Sequence, residues 1–324
     1  MLSMLLKVTC FVKLPDVDFI LYLDDQFLNE VPVLPIFHFQ KKRNGPGILL
    51  PYLSHLNDLE AFHTDSKEFV WSAKISQAIW RGASTGGSYD LSNWHTFARS
   101  KLVLSCSSKL LQNMCNASYY KIVQATDEAR DAMLANMTLA DPIPLKEQMK
   151  FKYILSLDGN GACAGRFEQL VSGNSLIMKT ESDSIEFYYT GLQPHVHFVP
   201  VKEDISDLQE KLQWVLANDD KAQVIVNNME KYASSLSTSH ISCYVQSLFN
   251  IYSKLTTFHM ESLESLKFHV HNVLPGHSYN NSNVPNICKN PIYACENVTS
   301  GESEIQLQNA TNHIELCFSF QSGR

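Results

Sequence analysis

The chain has 324 residues, of which 44% are hydrophobic and 10% aromatic, and a formal net charge of −7 at pH 7. Such a composition describes a folded chain long enough for two ordinary domains. The acidic balance, with Lys and Arg scattered and no basic stripe, excludes nucleic acid as the expected partner, and no apolar stretch reaches the roughly 18 to 20 residues of a membrane-spanning helix.

Eight cysteines contain no C-x-x-C pair, so a structural zinc site has little support, whereas disulfides stay open. Five Asn-x-Ser/Thr sequons, at Asn116, Asn136, Asn280, Asn297 and Asn309, are usable only in the secretory pathway and point to a lumenal location. The first residues, MLSMLLKVTCFVKLP, are split by Lys7 and lack a small-residue cleavage site, so they read as a buried segment and suggest a start inside a domain.

In chain order, Val17 to Leu23 reads as a buried strand ending at Asp24-Asp25, which sets two carboxylates at the end of a strand where open α/β sheets bind ligands. Val31 to Phe39 is extended but confined by Pro32 and Pro35 to an edge or irregular path. Asp65 to Ala78 carries apolar or aromatic residues at 69, 70, 75 and 78 and is expected to be a helix running into Ile79-Trp80-Arg81-Gly82, followed by a loop, ASTGGSYD. Helices are expected from Trp94 to Leu104 and from Thr126 to Met137, and Pro142 and Pro144 punctuate the approach to the next strand.

That strand, Tyr153 to Leu157, reads as buried; a break at Asp158-Gly159 succeeds it, and helical spacing runs from Arg166 to Val171. Gly159, Gly161 and Gly165 let the backbone approach a ligand closely, and the free N–H groups of a helix start favour an anion, to which Arg166 adds a forked cation. The spacing G-x-G-x-x-x-G is one residue longer than the dinucleotide fingerprint, so a plain strand-to-helix turn remains an open alternative. Ser175 to Lys179 and Val196 to Val201 read as strands, with a helix or turn over Glu186 to Gly191. Ser206-Asp-Leu-Gln209 reads as a capping box opening a helix to Ala217, and Asp219 to Leu236 and His240 to Leu255 complete a helical end. Strands alternating with helices imply an α/β fold with a parallel, helix-covered sheet. Beyond Phe258 the periodicity fades, and 259–324 is expected to be a loosely ordered or disulfide-tied tail.

Taken together, IWRG at 79–82, FKYILSLDGNGACAGRFEQL at 151–170, SLIMK at 175–179, EFYYTGLQPHVHFVPVKEDISDL at 186–208 and ISCY at 241–244 resemble the CAP10-like glycosyltransferases, the family of protein O-glucosyltransferases. The resemblance covers roughly residues 14 to 255. It implies a GT-B architecture of two Rossmann-like domains: 1–75 a partial acceptor-side domain, incomplete at its N-terminus, and 76–258 the nucleotide-sugar domain. It further implies an inverting, metal-independent transfer of glucose or xylose from a UDP-sugar to a serine hydroxyl of a folded protein domain, an EGF-like repeat, in the endoplasmic reticulum lumen or secretory pathway. No cofactor is expected beyond that donor.

Residue by residue, the resemblance makes Asp25 the base, with Asp24 second. It assigns donor binding to Arg81, Gly82, Ser84, Gly159, Gly161, Gly165, Arg166 and Glu186. A helix-start role explains Glu186 nearly as well, and His195-Val-His197 reads as one packed and one solvated histidine of a strand. The chain departs from the family at Gln26-Phe27, where an aromatic residue and Pro are usual, and at Ala83-Ser84-Thr85. Met149 and Gly173 stand where relatives carry a cysteine pair, and the partner of Cys243 is expected upstream of residue 1. A non-catalytic UDP-sugar-binding member and a transferase acting on polysaccharide are the alternative readings.

Overall fold

The computed structural model describes residues 5, 8–22, 35–51, 62–162 and 166–255, and the backbone of 317–320. Its strands in chain order are β1 (Val17–Leu21), β2 (Ile36–His38), β3 (Lys41–Lys42), β4 (Ile48–Leu49), β5 (Ile75–Ala83), β6 (Cys115–Lys121), β7 (Phe151–Ser156), β8 (Leu176–Thr180), β9 (Ser184–Ile185), β10 (Val199–Val201) and β11 (Cys317–Phe320). The fold class is α/β, as expected. The chain divides into two units, one of 1–54, 185–187 and 236–324, the other of 55–184 and 188–235. This differs from the division at 75/76 and 258 drawn from the sequence: the last long helix belongs with the first unit.

In the first unit β1, β2 and β4 run parallel in that spatial order, and β11 adds an antiparallel strand along β1. Part of the segment expected to be a loose tail is therefore a strand. The helix Thr238–Leu255 sets Phe249 and Tyr252 against Phe19 and Phe37, with Phe37 and Phe249 stacked at 5.1 Å between centroids. Its Tyr244 and Tyr252 hydroxyls donate to the carbonyls of Leu49 and Asp18. Cys243 on this helix is disulfide-bonded, as is Cys10, so its partner lies within this chain and not upstream of residue 1.

In the second unit five parallel strands lie in the order β10-β8-β7-β5-β6. β5 lies inside the sheet, between β7 and β6, and is buried over Ala78 to Gly82, which is why its sequence shows no alternation. Here the helix expected over Asp65 to Ala78 is corrected: residues 62–66 are helical, Trp71–Ala73 form a 3-10 turn, and the strand starts at Ile75. The helix Ala98–Ser107 carries β5 over to β6, and Asp127–Asn136, capped by the Thr126 hydroxyl on the Ala129 N–H, begins the return to β7. Ala78, Trp80, Tyr153, Leu155 and Met178 build one core with Leu212 and Val215 of the helix Leu208–Ala217. The N-cap of that helix is Asp207, whose side chain makes no cap bond, so the Ser206 capping box does not form.

The Met149 sulfur falls 2.8 Å from the Cβ that Gly173 lacks, so the two positions at which the resemblance expects a cysteine pair are neighbours in space. At the start of the sheet Lys74 is buried, donating to the Met149 carbonyl, Asn174 Oδ1 and Ser175 Oγ; desolvation pulls its pKa down to about 7, against the attraction of Glu230.

Candidate active site

The strand order fixes where a ligand belongs. From β5 the chain crosses outward to β6, then returns past β5 to lay β7 on its other side, so the direction of winding reverses between β5 and β7. In open parallel sheets, ligands bind beyond the carboxyl ends of strands at such a reversal, because the two loops leaving those strands part and leave a crevice. Those loops here are residues 84–88 and 157–162.

Both loops are tied by hydrogen bonds. Arg99, in the first turn of the helix Ala98–Ser107, donates from Nη1 to the Ala83 carbonyl and Thr85 Oγ1 at 2.7 and 2.6 Å. From Nε and Nη2 it donates to the Asp158 and Leu157 carbonyls at 3.0 and 3.1 Å, and its guanidinium stacks over Trp80 at 5.6 Å. Asn160 Oδ1 accepts from the Gly86 N–H and from Gln124 Nε2, drawing in the loop after β6. Gly86 has φ of +103°, and a Cβ there would stand 3.2 Å from the Gly159 carbonyl oxygen. A Cβ on Gly159 would stand 2.7 Å from Thr85 Oγ1 and 2.9 Å from Arg99 Nη2. Glycine is therefore required where the two backbones meet.

Arg81 lies on β5 on the face opposite Trp80, and is 7% exposed. Nη1 donates to the Trp80 and Asn116 carbonyls and Nη2 to Asn116 Oδ1, while Nε is a buried donor with no hydrogen-bond partner among the described residues. Burial pulls its pKa down. Arg166, which opens the six-residue helix Arg166–Val171, donates to the Arg81 carbonyl at 2.6 Å and to Gln148 Oε1 at 3.0 Å. These two acceptors are neutral and hold the guanidinium in place. Glu168 on the same helix is 3% exposed, and desolvation pushes its pKa up to about 8. At neutral pH it is protonated and adds no negative charge. Asp158, the first residue of the turn, faces Lys179 Nζ at 3.5 Å and accepts from the Ser182 hydroxyl.

The structure thus brings Arg81, Gly82, Ser84, Gly159, Gly161 and Arg166 to one end of the sheet. Two of them serve the scaffold. Gly82 leaves room for the Trp80 indole, 2.4 Å from the Cβ it lacks. Ser84 is fully buried, and its hydroxyl both donates to the Val123 carbonyl and accepts from the Val123 N–H at 2.6 Å, tying β5 to β6. Glu186 is buried but lies in 185–187, grouped with the first unit, and no α-helix starts there. Asp24, Asp25 and Gly165 lie outside the described residues. The two histidines sit in a turn and not on a strand: His195 has φ of +63° and is exposed, and His197 Nδ1 accepts from the Gln193 N–H. Among the described residues no group of three or more His, Cys, Asp or Glu side chains is placed to hold a metal ion.

The family model for glycosyl transferase family 90 matches residues 1–274. The chain belongs to glycosyl transferase family 90. Among its relatives in this family, protein O-glucosyltransferase 1 of Rattus norvegicus is 29% identical over 248 residues, which cover 71% of this chain and 59% of the relative. Protein O-glucosyltransferase 2 of Danio rerio is 28% identical over 268 residues, covering 78% of this chain and 50% of the relative. The chain therefore spans between half and three-fifths of the length of these relatives. Among solved structures, the glycosyltransferase WaaG aligns at a TM-score of 0.33 and 13% identity, over 66% of this chain and 56% of that one.

For a family 90 chain, the residue that motif reading missed is Arg99. It stands in FARSKL, with neither glycines nor a tryptophan beside it to mark it. Its signal is positional only: a cation in the first turn of the helix that comes after the β5 loop. Asp158 and Asn160 were legible as turn residues but not as the acceptors that set the turn.

Proposed function

We propose that this chain is a UDP-sugar-dependent protein O-glycosyltransferase that moves glucose, or xylose, to a serine hydroxyl of a folded acceptor such as an EGF-like domain. The observation that supports the proposal is Arg166, held against the Arg81 carbonyl beside the glycine-rich turn at the β5/β7 reversal. A departing nucleoside diphosphate gathers negative charge as the bond to the sugar breaks. Fixed guanidinium groups and backbone N–H groups stabilise that charge without needing to reorganise, in the place a metal ion would otherwise take.

Transfer with inversion requires the serine oxygen to attack the anomeric carbon from the side opposite the diphosphate while a base removes the hydroxyl proton. The resemblance gives that role to Asp25. The oxygen–carbon bond forms, the carbon–diphosphate bond breaks, and UDP leaves. An oxidising compartment, the endoplasmic reticulum lumen or another part of the secretory pathway, fits the Cys106–Cys115 disulfide.

The test is incubation of the purified protein with UDP-glucose or UDP-xylose and an EGF-like domain, with the acceptor read by mass spectrometry. A hexose or pentose on serine, formed in the presence of EDTA and absent with Asp25→Asn, is the expected result. Transfer that stops on chelation, or that persists in Asp25→Asn, refutes the metal-free mechanism or the base. UDP binding without transfer supports a binding protein instead.

A further inference from the structure

On the outer side of β6, away from the β5/β7 reversal, lies an open cleft of about 460 Å³. The Cys106–Cys115 disulfide, Gln77 and Asn116 line it together with Leu134 and Asn136 from the end of the helix Asp127–Asn136. Asn136 begins the sequon Asn136-Met137-Thr138, and Asn116 begins Asn116-Ala117-Ser118. The two differ in setting. Asn116 lies within β6, its side-chain and main-chain carbonyls both taken by Arg81. Asn136 is the last residue of its helix and is exposed; Met137 is extended, with φ of −147° and ψ of 146°, and Thr138 is exposed.

We propose that Asn136 is an N-glycosylation site of this protein. The modifying substrate is a lipid-diphosphate-linked oligosaccharide. Asn136 Nδ2 bonds to the anomeric carbon of the first sugar, the carbon–oxygen bond to the diphosphate breaks, the lipid diphosphate leaves, and one Nδ2 proton passes to the base of the transferring enzyme. The folded chain accommodates the product. Asn136 Nδ2 donates to the Ala132 carbonyl at 2.8 Å, and the glycosylated amide keeps one N–H for that bond. The cleft gives the first sugars room, and Leu134, 48% exposed on its wall, gains cover. A disulfide in the same wall belongs to the compartment in which such transfer takes place. The inference rests on the secretory placement proposed above, and the measurement separates the two.

The protein isolated from cells that express it is treated with a peptide N-glycosidase in ¹⁸O water and its peptides are sequenced by mass spectrometry, with Cys106 and Cys115 scored in the same digest. The expected result is ¹⁸O-labelled aspartate at 136 with the disulfide intact. Asn136→Gln and Thr138→Ala each remove the same glycan, the latter without altering Asn136. An unlabelled Asn136 alongside an intact disulfide overturns the inference alone. An unlabelled Asn136 with both cysteines recovered as free thiols overturns it together with the secretory placement.

Discussion

Arg99 ties the two loops of the candidate site together through its own hydrogen bonds. Its hydrogen bonds span the carbonyls at the ends of β5 and β7, two neighbouring strands whose loops would otherwise part independently. Arg99→Ala is expected to lower UDP affinity on the order of tenfold, about 1.4 kcal/mol. Arg99→Lys, which keeps the charge but not the planar fork, recovers only part of it. Titration calorimetry on the three proteins checks this, and full recovery by lysine means that charge alone matters. Gly159→Ala has a steric cause, a methyl at 2.7 Å from Thr85 Oγ1. It is expected to weaken UDP binding and to cost about 1–3 kcal/mol in urea unfolding. At this scale motif reading singled out Arg81, Gly159 and Arg166 as candidates, because tryptophan and glycines flank them. It gave Ser84 and Gly82 to the ligand because a sequence does not show that a hydroxyl is taken up by Val123, or that a missing Cβ is filled by Trp80.

Elements were legible where their period was unambiguous. The helix Asp127–Asn136, with its Thr126 cap and acidic first turn, was readable, as were β1, β7 and β8. β5 was half lost to a helix because an interior strand buried on both faces carries no alternation, and β6, CNASYYK, passed unread because polar edge positions break its apolar run. The disulfide from Cys106 to Cys115 joins the end of a helix to the start of β6 across a separation of 9 residues. Replacing both cysteines by serine is expected to cost about 2–3 kcal/mol on loop entropy, read from the urea midpoint. The helix Arg166–Val171 carries a pH signature. Glu168 is raised from 4.5 to about 8 by burial, so between those values the native state holds a proton that the unfolded chain has released. The stability this proton contributes is full below about 4.5 and is lost as pH rises through about 8, at about 1.4 kcal/mol for each pH unit inside that window. Thermal unfolding of Glu168→Gln against the parent protein should show the variant gaining relative stability from about pH 5 to about pH 9. A constant difference across that range contradicts a buried protonated carboxyl.

For the molecule as a whole, the α/β class and family were readable from ordered motifs, while the division into units was not. The chain leaves the second unit before its last long helix, and what decides that helix's place is the packing of Phe249 and Tyr252 on Phe19 and Phe37, contacts more than 200 residues apart in sequence. The reversal at β5/β7 is likewise a property of strand order, invisible to any local pattern. It is also where the proposed function is most exposed. The direct test is calorimetric titration of the protein with UDP and with uridine, repeated on Arg166→Ala. Diphosphate recognition at the reversal predicts saturable UDP binding, weakened on the order of tenfold or more by the substitution, with little change for uridine. UDP affinity unchanged in Arg166→Ala, or lost equally for UDP and uridine, contradicts it.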